Sequence, residues 1–112
     1  MGERIAIVGS RNYPHLERAC AYVRVLLPGT VVISGGARDV DATAEVEARR
    51  CGLEVVSLRP DYATHGRRAP LIRNADIVAQ CDRLVAFWDG ASTGTAHTIG
   101  LARRVGRPVE VV

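Results

Sequence analysis

The sequence predicts an α/β domain of three layers, with a five-stranded, mostly parallel sheet covered by helices on both faces. Two observations carry this. Short apolar runs alternate with stretches of helical periodicity from one end of the chain to the other, as strand–helix–strand units do. The runs are apolar throughout instead of alternating with polar residues, as strands buried on both faces must be. Right-handed crossovers then put helices on either side of the sheet. The chain has 112 residues, the length of one domain with a real core, and residues 1–112 are expected to form a single domain.

The elements follow in order. RIAIVG (Arg4–Gly9) is the first strand. Pro14 stands at a first helical turn, and Leu16, Cys20, Val23 and Leu27 recur at the spacing of one helix face. Pro28–Thr30 stops that helix, and Val31–Ser34 is the second strand. A helix from about Asp41 to Cys51 is rich in alanine, so it can lie close on a sheet, and Gly52 ends it. Glu54–Leu58 is the third strand and Arg59–Arg68 a polar loop. A third helix runs from about Pro70 to Gln80, and Arg83–Trp88 is the fourth strand. Asp89–Thr95 bends into a fourth helix reaching Val105, Gly106 closes it, and Pro108–Val112 is the last strand. The arrangement is Rossmann-like.

Composition narrows the chemistry. Hydrophobic residues make up 47% and charged residues 24%, a globular profile. No apolar run approaches the roughly 18 residues of a membrane span, and the chain enters its first strand without a signal-peptide pattern. A cytoplasmic protein with no membrane partner is expected. The net charge of +3 does not by itself argue for nucleic acid. All 15 basic residues are arginine. That excludes Walker-type phosphate binding, Schiff-base chemistry and a lysine base. Cationic contacts must then be planar and bidentate, suited to phosphate or carboxylate. Cys20, Cys51 and Cys81 are spaced for neither a metal clip nor a disulfide framework. All three are expected to be reduced and mostly buried; no metal or cofactor is expected.

Ligands of an open parallel sheet sit beyond the carboxyl ends of its strands. Three strand-to-helix bends lie there: GSRNYP (Gly9–Pro14), SGGARDVD (Ser34–Asp41) and DGASTGT (Asp89–Thr95). Each combines glycine with serine, threonine or arginine, whereas the turns at the opposite edge are plain stop signals. Glycines let backbone approach a ligand, and a following helix offers unpaired N–H groups and a partial positive charge. Ser92, Thr93 and Thr95 add hydroxyls. The spacing is not the dinucleotide fingerprint.

Individual residues divide between ligand and scaffold. Arg11 is expected to hold phosphate. Asp41 either binds a ribose hydroxyl or caps its helix. Arg38 and Asp39 either grip the ligand or pair within the bend. Arg73 and Asn74 read from composition alone as a solvated helix face. Tyr62, His65, Arg67 and Arg68 form either a lid that stacks on a base or an exposed loop. His97 has no acid or nucleophile near it in sequence.

These stretches, with "RN" and "AFWDGASTGTAHTIGLARRVGRPVEVV", resemble the SLOG superfamily, and in particular its small stand-alone YspA-like branch. The resemblance covers nearly the whole chain and implies a Rossmann-like fold that binds nucleotides or nucleotide-derived ligands. It matches Gly9, Ser10 and Arg11 to the first bend; Gly35, Gly36, Ala37, Arg38 and Asp41 to the second; Arg73 and Asn74 to a helix-borne pair; and Ser92, Gly94 and Thr95 to the phosphate bend, with Asp89 at its start. It also implies a homodimer. Phosphoribohydrolases of the Lonely-guy type carry P-G-G-x-G-T-x-x-E with a catalytic glutamate; here Thr98 stands in its place. Asp39, Asp41 or Asp89 would have to substitute, and catalytic residues stay open. The related DNA-processing protein DprA binds single-stranded DNA, but this sequence has no dense basic stripe interleaved with aromatics, so nucleic acid is not expected as a partner.

The function expected is binding of a nucleotide or nucleotide-derived small molecule, as a sensor or binding protein. The alternatives are a hydrolase acting on a nucleoside monophosphate and single-stranded nucleic-acid binding.

Overall fold

The computed structural model describes residues 2–112. Its strands are β1 (Arg4–Gly9), β2 (Val31–Ser34), β3 (Glu54–Ser57), β4 (Arg83–Phe87) and β5 (Val109–Val111). Its helices are α1 (Leu16–Arg24), α2 (Val40–Arg50), α3 (Tyr62–His65), α4 (Ala69–Gln80) and α5 (Thr93–Arg104). The sheet order is β3-β2-β1-β4-β5, and every pairing is parallel. The chain steps outward from β1 to β3, then returns to place β4 on the other side of β1. That reversal opens a crevice between the carboxyl ends of β1 and β4, the usual ligand position in such sheets.

Strand periodicity builds two cores. Ile5 and Ile7 pack with Ala19, Val23, Val40, Ala44 and Ala48 on the α1/α2 side. Their neighbours Ala6 and Val8 pack with Ile77, Val78, Ile99 and Ala102 on the α4/α5 side, because successive side chains leave opposite faces of a strand. Phe87 is fully buried and meets Tyr13 and Tyr22 edge-on at centroid distances of 5.7 and 6.1 Å. Its replacement by alanine would cost about 3–5 kcal/mol. β1 ends in glycine because α2 starts on top of it: a Cβ at Gly9 would lie 2.4 Å from Val40 Cβ.

The structure departs from the sequence reading in four places. α1 ends at Arg24, so Leu27 leaves the apolar face and is 76% exposed; the chain tightens there through a bond from Leu26 N–H to the Val23 carbonyl. α2 begins at Val40 with Asp39 at the cap position, so Asp41 lies inside the first turn. The polar loop contains α3, started by Asp61, whose Oδ1 accepts from Thr64 N–H at 3.1 Å, and a 3₁₀ turn over Gly66–Arg68. Cys81 is buried and Cys20 half-buried, but Cys51 is exposed, in the turn that leaves α2. Among the described residues no helix is long and apolar enough to cross a membrane.

Candidate functional site

A cleft of about 770 Å³ lies at the carboxyl edge of the sheet. Its floor is Val8, Gly9 and Ile77; its walls come from the bends after β1, β2 and β4 and from α4. It gathers Gly9 and Arg11 of the first bend, Gly35, Gly36, Ala37, Arg38 and Asp41 of the second, Arg73 and Asn74 of α4, and Asp89, Ser92, Gly94 and Thr95 of the last. Ser10 is the expected site residue that does not line it. Ser10 is fully buried, its amide donates to the Phe87 carbonyl at 3.0 Å and its Oγ accepts from Asp89 N–H at 3.1 Å. It therefore ties the ends of β1 and β4 together.

The glycine-bearing bends after β4 and β2 do different jobs. After β4, Trp88 Nε1 donates to the Ser92 carbonyl at 3.0 Å, and Asp89 Oδ1 accepts from Ala91 and Ser92 N–H at 2.9 and 2.8 Å. These amides hold the Asp89 carboxyl below its usual range. Ala96 N–H, bonded to the Ser92 carbonyl, is the first amide in the helical ladder, so those of Thr93, Gly94 and Thr95 point out of the start of α5 without intrahelical partners. Amides in that position, at the positive end of a twelve-residue helix, form an anion seat.

The bend after β2 is satisfied internally. Gly36 N–H donates to Ser34 Oγ at 3.1 Å and Ala37 N–H to Asp41 Oδ2 at 3.2 Å. Arg59 Nη1 donates to the Gly36 carbonyl at 2.8 Å, and Arg73 Nη1 donates to the Gly35 carbonyl. The glycines here do not free amides for a ligand; they make room for side chains. A Cβ at Gly35 would lie 2.7 Å from Arg73 Nη1 and 2.9 Å from Asp41 Oδ2. Arg38 and Asp39 do not pair with each other: Asp39 Oδ2 accepts from Asn12 N–H at 3.2 Å.

Charge in the cleft is divided. Arg11 and Arg38 are exposed at its rim and Arg73 is half-buried in its wall; none of them has a carboxylate within 4.0 Å among the described residues. Burial draws Arg73 below its ordinary range, and the charge of Asp41 partly offsets this. Asp41 is 4% exposed. Burial pushes its carboxyl up to about 6, against the pull of the Ala37 amide and Arg73.

Arg73 and Asn74, which composition alone leaves as a solvated face and the family resemblance singles out, both line the cleft. Asn74 is buried; its Oδ1 accepts from Arg73 Nε at 3.0 Å, and its Nδ2 lies 3.2 Å from His97 Nδ1. The solvated face expected from composition is thus a relay from α5 through α4 to the Gly35 bend. Tyr62 lines the cleft but is 61% exposed, while His65, Arg67 and Arg68 do not line it. Thr98 is buried in the wall and donates to the Gly94 carbonyl at 3.1 Å, so α5 brings no carboxylate in. No cluster of three or more His, Cys, Asp or Glu able to hold a metal occurs among the described residues.

The fold is a Rossmann-like α/β domain, the fold that DprA proteins also have. The structure superposes on DNA processing protein A of Helicobacter pylori with a TM-score of 0.82 and 23% identity, over 97% of this chain and 64% of that one. The Streptococcus pneumoniae protein gives 0.74 and 19%, over 98% and 50%. This chain therefore spans less than two thirds of either, and at those identities the likeness establishes the fold. No family model matches. In sequence, the chain is 39% identical over 87 residues to the Gene 61 protein of Mycobacterium phage D29, covering 72% of this chain and 70% of that protein. It belongs to the family of that phage protein.

The comparison corrects one expectation. Nucleic acid was set aside because the sequence shows no basic stripe, yet the H. pylori neighbour has a single-stranded DNA binding mode. No basic stripe runs along the chain, but the fold brings Arg11 and Arg38 from two bends and Arg73 from α4 to one cleft.

Proposed function

We propose that the cleft binds nucleotide units of single-stranded nucleic acid. The observation that carries this is the pairing of the free α5 amides with Arg11 and Arg73 across an open cleft at the strand-order reversal. A backbone phosphate sits on the Thr93–Thr95 amides and is clamped by the arginines; the base faces the exposed ring of Tyr62, since base–aromatic stacking is indifferent to sequence. The motif matches described above support placing the chain in the stand-alone YspA-like branch of the SLOG superfamily.

Titration of a fluorescent single-stranded oligonucleotide at several salt concentrations tests the reading. Affinity is expected to fall with salt, and Arg73→Ala and Arg11→Ala each to flatten the log–log slope by about 0.7. Binding that is insensitive to salt and to both substitutions overturns it. One observation favours a second reading, a free nucleotide-derived small molecule: the cleft volume of about 770 Å³ lies within the range of small-ligand pockets. Mononucleotides binding as tightly as the oligonucleotide would decide for that reading.

A further inference from the structure

Asp41 is out of place in a phosphate site. It lines the same cleft as Arg11, Arg38 and Arg73, and a carboxylate beside a phosphate repels it. Asp41 is nevertheless 4% exposed; Ala37 N–H donates to its Oδ2 at 3.2 Å, and the Gly35 amide also faces the carboxyl. An ionised carboxylate offers about four acceptor positions, more than these two amides fill, and Asp41 lines the cleft. What it can take from a ligand is a hydrogen-bond donor.

Position decides which donor. Asp41 Oδ2 and Arg73 Nη1 flank Gly35 closely, 2.9 and 2.7 Å from where its Cβ would stand. A phosphate held by Arg73 therefore presents its covalent neighbour, the sugar, to Asp41. The base lies one sugar further out, toward Tyr62. Within a strand the 3′ and 5′ oxygens are esterified, so the sugar's remaining donor is the 2′-hydroxyl, which deoxyribose lacks. We propose that Asp41 accepts a hydrogen bond from a ribose 2′-hydroxyl and makes the cleft selective for ribonucleotide units over deoxyribonucleotide units. This rests on the nucleotide reading of the cleft and sharpens it.

The proposal includes a pH dependence. Asp41 is faced by Arg73 from α4, by Glu45 further along α2 and by the amides of Ala37 and Gly35, and its carboxyl is held near 6. The ionised acid is the acceptor, so selectivity is full above that value and fades below it.

The experiment compares short labelled oligoadenylates with ribose, deoxyribose and 2′-O-methyl sugars by fluorescence anisotropy, with AMP and dAMP as competitors. Wild type, Asp41→Asn and Arg73→Ala are each measured at about pH 8 and about pH 5. Asparagine keeps an oxygen for Ala37 N–H and turns a donor toward the cleft. The ribose form is expected to bind about tenfold tighter than the other two at the higher pH. That ratio should shrink at the lower pH and collapse in Asp41→Asn. Using a ratio cancels titration of the ligand's own phosphates. If AMP outcompetes the oligonucleotide and beats dAMP by the same factor, the ribose preference holds and the source is a free nucleotide. Equal affinities for ribose and deoxyribose, with Arg73→Ala weakening both, overturn the sugar assignment and leave the cleft standing. No binding of any probe overturns both. The sugar comparison in wild type needs no substituted protein, so it decides even if a variant fails to fold.

Discussion

The backbone amide of Asn12 donates to Asp39 Oδ2 at 3.2 Å, joining the bends after β1 and β2, and both residues hold positive φ, 62° and 66°. Neither is glycine. Asn tolerates the left-handed region, but Asp39, at ψ −110°, occupies backbone space that glycine normally fills. Such a residue costs on the order of 1–3 kcal/mol. It persists here because its carboxylate fixes one cleft wall against the other.

That relationship separates two substitutions at one position. Asp39→Gly removes both strain and acceptor, whereas Asp39→Ala removes the acceptor and keeps the strain. In urea unfolding, Asp39→Gly is expected near wild type and Asp39→Ala lower by about 1–2 kcal/mol. Equal stabilities would show that the backbone carries no strain there.

Glu45 is the brace beneath the second bend. It is 5% exposed, and its Oε2 accepts from Ser34 Oγ at 2.7 Å and Ser57 Oγ at 3.1 Å. Ser34 Oγ in turn accepts from Gly36 N–H, so the carboxylate aligns the bend through the serine. Glu45→Ala strands two hydroxyls and is expected to cost about 3 kcal/mol. Ser57→Ala, which leaves the Ser34 branch intact, should cost about 1 kcal/mol. Chemical denaturation of the two variants gives the ordering, and a Ser57→Ala loss as large as that of Glu45→Ala would contradict it.

Tyr62 offers a test with little structural side effect. Its ring is exposed, so Tyr62→Ala should leave the melting temperature nearly unchanged. Loss of a stacked base is expected to weaken oligonucleotide binding by about 1–3 kcal/mol, with Tyr62→Phe close to wild type. Anisotropy titrations of the two variants check this; a Tyr62→Phe loss matching that of Tyr62→Ala would place the contact on the hydroxyl instead.

The fold was legible because strand identity rests on local pattern: β1 and β2 have the bounds that the apolar runs predict. The glycine-bearing bends were legible as a site edge, but not the task of each. Gly9 admits Val40 and Gly35 admits Arg73 and Asp41, contacts between residues distant in sequence. Ser10 reads as a ligand hydroxyl until Asp89 N–H is seen to occupy it. Asp41 reads as a cap because an acid starting a helix usually is one; Asp39 holds that position instead, at positive φ and without a side-chain capping bond. The Asn74–His97 contact joins two helices, and no spacing along either announces it.

Asp41 also makes stability depend on pH without any ligand. Its carboxyl is raised from 3.8 to about 6 by burial, so the folded protein holds a proton that the unfolded chain has already released. Between those values ionisation costs the folded state more, and stability falls as pH rises. The loss is complete above about pH 6 and amounts to about 3 kcal/mol. Asp41→Asn cannot ionise, so its difference from wild type should be small near pH 4 and grow in favour of the variant toward neutrality. Thermal melts of both proteins across that range give the difference curve. A curve that is flat, or that rises for wild type, would mean the folded carboxyl is not raised. The same result would remove the pH dependence expected of ribose selectivity, because both draw on one buried acid.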